Sequence, residues 1–192
     1  MKKLVVAATG ATGSLYPLFL LKEIAKLPDW EAHLVLSPAA ALTIRQELGM
    51  QKKEFERLAA RVYSFRDVGA AIASGSLITE GMVVAPCSMK TLAAIAHGFS
   101  ENLISRAADV ALKERRRLVL LAREAPLHLV HLRNMMAVTE MGGIIFPPVP
   151  AFYHRPQDIE EVVAHTIYRV LDLFGVRLGP RWEGIETGGQ KP

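Results

Sequence analysis

The sequence predicts a single-domain α/β fold in which a doubly wound, mostly parallel sheet carries helices on both faces. Three observations lead to this prediction. Short apolar runs alternate with helical patterns along the chain, and no two runs are joined by a hairpin turn. The first run breaks into glycines, at Gly10 and Gly13, before a helical pattern begins. Apolar residues make up 51% of the 192 residues, as expected for a sheet that is buried on both faces.

The elements are predicted from hydrophobic spacing and from start and stop signals. Short apolar runs that end at Gly, Ser, Pro or a charge predict strands at 3–8, 31–36, 62–65, 81–85, 118–122 and 144–146. Apolar residues at helical spacing predict helices at 14–27, 39–48, 52–61, 67–74, 91–97, 102–116 and 129–141, and a last helix after Pro156. Residues 1–183 are predicted to form one domain, and the polar, glycine-rich stretch 184–192 is predicted to be a flexible tail.

The composition excludes several classes of protein. The net charge of +4 and the pI near 9.3 indicate anionic partners without choosing among them. The densest basic run, 113–117, has no aromatic residues within it and lies at a predicted helix end, which argues against nucleic acid. Cys87 is the only cysteine, so an internal disulfide and a Cys-cluster metal site are excluded. The six histidines show no ligand spacing, so no metal is predicted.

The N-terminus and the hydropathy predict a cytosolic protein. The first apolar run has only five residues before Thr9, which is too short for a signal peptide. No stretch of about 18 apolar residues is present to span a membrane. The mean hydropathy of +0.22 also indicates large subunit interfaces, and the chain is therefore predicted to be a homo-oligomer.

Polar and cationic residues follow the predicted strands, at the edge where ligands bind in such sheets. They are the turn 10–14, Ser37, the segment 88–91, Arg123 with Glu124, and Tyr153. Glycines let the backbone approach an anion, and helix N-termini present N–H groups to it. The strand ends together predict an anion site, and the turn 10–14 is predicted to be its cradle.

The pattern favours a mononucleotide such as FMN over a dinucleotide. Tyr16 stands where the third glycine of a dinucleotide motif would fall, and the second strand ends in Ser37 instead of an acidic residue. A P-loop is excluded because no Gly-Lys-Ser/Thr follows the first glycine at the required distance. Ser88 is equally well explained as a helix N-cap. A cap does not explain Lys90, whose charge opposes the helix dipole unless an anion is near.

One predicted helix face carries Arg106, Asp109 and Lys113 at i, i+3 and i+7. One interpretation is a solvated ladder of ion pairs. The other is a second phosphate site, in which Arg106 and Lys113 meet Arg123 and Arg169. Arg169 lies on an otherwise apolar helix face, so it is either exposed or paired with an anion. The sequence pattern leaves both interpretations open.

With these residues collected, the sequence resembles the flavin prenyltransferases of the UbiX type, including the Pad-like members. The resemblance covers residues 3–182 and is carried by GATG at 10–13, PCSMKTL at 86–92, RAADV at 106–110, LKERR at 112–116, REAP at 123–126 and PAFYH at 150–154. It implies a flavodoxin-like homo-oligomer, usually a dodecamer, with active sites at subunit interfaces. It further implies that dimethylallyl phosphate alkylates reduced FMN at N5 and then at C6 without a metal. The product would be prenylated FMN, the cofactor of UbiD-type decarboxylases.

The resemblance also implies the site residues. The matches to FMN-binding positions are Gly10, Ala11, Thr12, Ser37, Ser88, Met89, Lys90, Thr91 and Arg123. The matches to substrate-binding positions are Arg106, Lys113, Tyr153 and Arg169. Thr12, Glu47, Lys113 and Glu124 are predicted to be catalytic, Glu47 as an acidic residue near the flavin. Glu124 is interpreted either as a proton shuttle or as a structural partner of Arg123.

Two other functions stay open beside prenyl transfer. One is a flavin-dependent cysteine decarboxylase of related fold, although the catalytic His and the Asn-rich loop that it needs are not evident. The other is a non-catalytic FMN-binding carrier or accessory subunit of a decarboxylase.

Overall fold

The computed structural model describes residues 1–182 and 184. Its sheet has six strands in the order β3-β2-β1-β4-β5-β6, and every neighbouring pair is parallel. The strands are β1 Lys2–Ala8, β2 Trp30–Leu36, β3 Arg61–Tyr63, β4 Gly81–Cys87, β5 Arg117–Ala122 and β6 Ile144–Ile145. The helices are α1 Leu15–Ala25, α2 Pro38–Leu48, α3 Lys52–Glu56, α4 Met89–Ala96, α5 Leu103–Lys113, α6 Leu129–Glu140 and α7 Ile159–Asp172. The predicted doubly wound α/β fold is confirmed, with the Rossmann strand order.

The chain starts in the middle of the sheet and winds outward twice. It runs from β1 to β3 in one direction, then crosses back to β4 and continues to β6. The switch in direction lies between β1 and β4, where the connections on the two sides diverge and leave a crevice beyond the carboxyl ends of these strands. The fold therefore places a ligand site beside the residues that follow β1 and β4.

Several predicted elements have other bounds in the structure, and tertiary contacts explain some of the differences. The predicted helix 52–61 stops at Glu56, because the chain from Arg61 onward pairs with β2. The predicted helix 67–74 is reduced to a 3-10 turn at Ala71–Ala73. β4 continues to Cys87, which pairs with Ala122 of β5. The helix predicted to reach 116 ends at Lys113, and Arg115 adopts a left-handed backbone with φ 56°.

Both faces of the sheet are buried, as the apolar strands predict. Leu4 and Val6 of β1 pack on the side that α1 and α7 cover, whereas Val5 and Ala7 pack on the side of α4 and α5. A fully buried side chain such as Leu20 stabilises the fold by about 1.5–3 kcal/mol. Among the described residues no helix combines the length and the apolarity that crossing a membrane would require. Apart from Gly184, the predicted tail 184–192 lies outside the described residues.

Candidate active site

A cleft of about 570 Å³ lies at the switch point, beyond the carboxyl ends of the central strands. Its lining comes from the segments after β1, β2, β3 and β4 and from the start of α5. The lining residues are Thr9, Gly10, Ser37, Pro38, Ala39, Phe65, Ser88, Lys90, Thr91, Ala94, Phe99, Glu101, Asn102 and Ser105. Five residues predicted to bind the flavin are thus brought together: Gly10, Ser37, Ser88, Lys90 and Thr91.

Thr9 and Gly10 set the shape of the cleft floor. The hydroxyl of Thr9 donates to the carbonyl of Pro86 at 2.7 Å and accepts from the N–H of Ser88 at 2.8 Å. These two bonds fasten the ends of β1 and β4 to each other. A Cβ at Gly10 would lie only 2.5 Å from the Cβ of Ala39, so glycine is what lets the end of β1 approach α2. Thr9 was not among the predicted site residues, because a threonine at the end of a strand is common and often serves only to pack against its neighbours.

Two helices point their N-termini at the cleft, and a serine caps each of them. Ser37 accepts from the N–H of Ala40 at 3.0 Å at the start of α2. Ser88 accepts from the N–H of Thr91 at 3.4 Å at the start of α4, and lies 3.2 Å from its hydroxyl. The interpretation of Ser88 as an N-cap is therefore confirmed, and the cap itself lies on the cleft wall. Helix N-termini favour a negative charge, and Lys90 adds a full positive one.

Two aromatic rings and one carboxylate in the cleft were not predicted. Phe65 follows β3, and Phe99 lies in the connection between α4 and α5 with 60% of its surface exposed. Glu101 lines the cleft beside Asn102, the N-cap of α5. An isolated phenylalanine between a glycine and a serine has no periodicity, so only the fold reveals that Phe99 faces a ligand-sized space.

The turn 10–14, predicted to cradle an anion, holds a carboxylate of the chain itself. The carboxylate of Glu47, on α2, accepts from the N–H groups of Gly13 at 3.1 Å and Ser14 at 2.7 Å, and the hydroxyl of Thr12 lies beside it. Burial acts to raise the pKa of Glu47, but these hydrogen bonds outweigh it and hold the pKa below its ordinary value. The N-terminus of α1 is thus neutralised internally, and Thr12 and Glu47 are held together.

The cationic face of α5 forms local ion pairs. Arg106 pairs with Asp109 at 2.8 Å and donates from Nε to the carbonyl of Ala73 at 3.2 Å. Lys113 pairs with Glu114. The Arg106–Asp109 pair agrees with the solvated-ladder interpretation of this face. Arg106 and Lys113 line neither the cleft nor the second pocket described below.

Arg123 and Glu124 follow β5 at the same sheet edge. The N–H of Arg123 donates to the carbonyl of Cys87 at 3.2 Å, and the carboxylate of Glu124 accepts from the N–H of Ala125 at 3.0 Å. Burial raises the pKa of Tyr16, and the nearby charge of Arg123 partly opposes this. A Cβ at Gly13 would meet the Tyr16 ring at 2.9 Å, so Arg123 and the turn 10–14 flank the same ring.

Cys87, Ala11 and Met89 also lie at this edge of the sheet. Burial raises the pKa of the Cys87 thiol to about 12, which leaves it protonated and unreactive, as for a small side chain packed in the core. Ala11 lies in the turn after β1, and Met89 begins α4 and packs on the core of that side. No group of three or more His, Cys, Asp or Glu side chains in the described part of the chain could hold a metal ion.

A second pocket of about 320 Å³ contains two of the predicted substrate-binding residues. It is lined by Tyr153, Tyr168, Arg169, Asp172, Leu178, Pro180, Arg181 and Trp182, and shares no residue with the cleft. Arg169 and Arg181 both contact Asp172, at 2.5 and 3.4 Å. Tyr153 and Arg169, 16 positions apart in sequence, are therefore brought to one cationic pocket. We call it the C-terminal pocket.

Comparison with known proteins identifies the family. A family model described as Flavoprotein matches residues 1–174. A probable UbiX-like flavin prenyltransferase from Bacillus subtilis (strain 168) is 55% identical over 186 residues, which cover 96% of this chain and 91% of the relative. The chain belongs to the UbiX-type flavin prenyltransferases.

Two solved structures of this family superpose closely on the flavin prenyltransferase described here. AnUbiX (PadA1), in complex with FMN and dimethylallyl pyrophosphate, is 49% identical with a TM-score of 0.94, covering 96% of this chain and 99% of that one. The dodecameric FMN-dependent UbiX-like decarboxylase from Escherichia coli O157:H7 is 46% identical with a TM-score of 0.93, covering 95% and 100%. The family resemblance stated from the sequence is confirmed, and the assignment of roles to single residues stays a prediction.

Proposed function

We propose that this flavin prenyltransferase joins the dimethylallyl group of dimethylallyl phosphate to N5 and C6 of reduced FMN, giving prenylated FMN. The observation that carries the proposal is the cleft at the switch point, where two serine-capped helix N-termini, Lys90 and two phenylalanines meet. A volume of about 570 Å³ suits a flavin mononucleotide. When bound, reduced FMN supplies the nucleophilic nitrogen and carbon of the reaction.

Residues on two walls of the cleft would bind different parts of FMN. The hydroxyls of Ser37 and Ser88, the N–H groups behind them and the Lys90 ammonium would hold the phosphate, because each donates a hydrogen bond to an anion. Phe65 and Phe99 would cover the flat, apolar ring system. Thr12, fixed by Glu47, would lie at the edge of the flavin.

The departing phosphate needs positive charge placed in advance. Cationic donors that are already oriented stabilise a developing anion without reorganising, which makes this the main electrostatic contribution to the reaction. In the C-terminal pocket Arg169 and Tyr153 would take this role, and Asp172 holds the guanidinium in place until the anion binds. Glu124, which follows β5, would shuttle the proton released at C6 or position Arg123.

The cleft and the C-terminal pocket would form one site in a homo-oligomer. α6 exposes apolar side chains over about two turns, with Leu129, Val130, Leu132 and Met136 each about half exposed or more. Covering such a patch by a second copy removes its apolar surface from water. A dodecameric relative supports this assembly, and subunit contacts would bring Arg106 and Lys113 to a neighbour's site.

We further propose that the enzyme is cytoplasmic and that a UbiD-type decarboxylase receives the product.

The test is an anaerobic incubation of purified protein with reduced FMN and dimethylallyl phosphate. We expect a flavin that is heavier by one C5 unit, detected by mass spectrometry. FMN bound without any heavier flavin would contradict prenyl transfer and indicate a carrier. Release of carbon dioxide from a peptide ending in cysteine would indicate the decarboxylase alternative.

A further inference from the structure

The hydroxyl of Tyr153 is held from behind by a histidine. It lies 2.8 Å from Nε2 of His165, on α7. The tyrosine is 48% exposed on the wall of the C-terminal pocket, whereas His165 is only 6% exposed. One side of the phenol oxygen therefore faces the pocket, and its other side is bonded to a buried imidazole.

The imidazole of His165 is itself fixed in orientation. It stacks on the ring of His154, with centroids 4.2 Å apart and planes 17° from parallel. The Tyr153 ring makes T-shaped contacts with the rings of His165 and Trp182, with centroids 5.4 and 5.2 Å apart. His165 also lies one helical turn before Arg169, so one face of α7 supplies both the guanidinium and the group that orients the tyrosine.

We infer that His165 is a positioning residue for the phosphate of the prenyl substrate, because it fixes the direction in which the Tyr153 hydroxyl meets an anion beside Arg169. The inference rests on the proposed function and extends it to a residue that does not itself contact the substrate. A phenol hydroxyl rotates about its C–O bond, and fixing it before binding removes an entropic cost from the bound state. When Nε2 carries the imidazole proton and donates it to the phenol oxygen, the phenol O–H is left free to donate to the phosphate.

Burial and neighbouring charges favour the neutral form of the His165 imidazole, which suits this role. Burial, followed by the nearby His154 and Arg169, lowers the pKa of His165, and Asp172 opposes this only in part. The lowered pKa favours the neutral imidazole, which carries a single N–H. A neutral ring can orient the hydroxyl without adding a second charge that would attract anions by itself.

The experiment compares H165F with H165Q in the full chain. Phenylalanine keeps an aromatic ring but removes the hydrogen bond, whereas glutamine keeps a side-chain N–H. We expect H165F to weaken dimethylallyl phosphate binding, measured by calorimetry, and to raise KM about three- to tenfold, the usual effect of one hydrogen bond. FMN affinity and kcat should change less than twofold, and H165Q should restore most of the affinity.

A second buried His–Tyr pair provides a matched control. His33, which is 1% exposed, lies with Nδ1 2.8 Å from the hydroxyl of Tyr63 and lines neither pocket. H33F should lower the melting temperature without moving the substrate affinity. A double-mutant cycle adds specificity, since H165F should have no further effect on binding in a Y153F background.

Three results would overturn the inference: an unchanged substrate affinity in H165F, an equal loss in H165Q, or an equal loss in H33F. If H165F does not fold, H165M removes the same hydrogen bond and takes its place. The calorimetric measurement needs no turnover. A wild type that binds dimethylallyl phosphate but forms no heavier flavin would therefore contradict the proposed function and still test His165.

Discussion

Two helices, α1 and α4, follow neighbouring strands at the same edge of the sheet, and their N-termini are used in opposite ways. At the start of α1 the N–H groups of Gly13 and Ser14 bind the carboxylate of Glu47. At the start of α4 the neutral hydroxyl of Ser88 caps the helix, and the terminus faces the cleft. One terminus is already neutralised by the protein, and the other is open to a ligand anion.

The difference shows that glycines in a sequence mark the geometry of a turn and not its occupant. The turn 10–14 has the composition of a phosphate cradle, yet a carboxylate more than 30 residues away in sequence fills it. The segment 88–91 has no glycine, but it combines a helix start with Lys90. We therefore propose that the FMN phosphate binds on the α4 and α2 side of the cleft and that the first turn holds Thr12.

The largest expected effect follows from removing the cation on the open side. K90M should weaken FMN binding about 10- to 100-fold, because a hydrogen bond to a charged group contributes about 1.5–3 kcal/mol. A fluorescence titration measures this effect. Riboflavin, which lacks the phosphate, should bind the variant and the wild type alike, and K53M, on the exposed face of α3, should leave FMN affinity unchanged. An equal loss for riboflavin would mean that Lys90 does not contact the phosphate.

A smaller effect is expected at the aromatic wall. F99A should weaken FMN binding about three- to tenfold and reduce the quenching of flavin fluorescence, because aromatic pairs contribute about 0.5–1.5 kcal/mol beyond the area that they bury. F99Y keeps the ring and should bind FMN normally. If F99A instead binds FMN normally but lowers the molar mass in light scattering, Phe99 contacts another copy of the chain and not the flavin.

The smallest expected effect on FMN binding is at the occupied terminus. E47Q should lower the free energy of unfolding by about 1 kcal/mol at pH 7, as for other helix-end interactions, and change FMN affinity less than threefold. The pKa of Glu47 is lowered in the folded state, so its stabilisation is complete above the ordinary value of 4.5 and is lost as the pH falls through the lowered value. Denaturant unfolding at several pH values should show the wild type and E47Q converging in acid.

The matched control for this variant is E54Q. Glu54 accepts a single backbone N–H, that of Gln51, at 2.6 Å. Its loss should therefore destabilise the protein less than the loss of Glu47. A constant difference between wild type and E47Q across the acid range would show that the charge of Glu47 does not stabilise the turn.

The sequence was sufficient for the parts of the fold that follow from local periodicity. The apolar runs and helical spacing predicted all six strands and the strand-end location of the site. The sequence was insufficient where a contact with a distant segment determines the local structure. Cys87 extends β4 because it pairs with Ala122 of β5. Glu47 fills a turn that lies more than 30 residues before it in the sequence. Phe99 lines the cleft only because the α4–α5 connection crosses it.

We expect the FMN phosphate to bind at the start of α4 and not at the start of α1. The most direct test is a crystal structure of this chain with FMN. We predict a phosphate oxygen within about 3 Å of the Ser88 hydroxyl, with the carboxylate of Glu47 still bonded to the N–H groups of Gly13 and Ser14. A phosphate on those two N–H groups, with Glu47 displaced, would contradict the account.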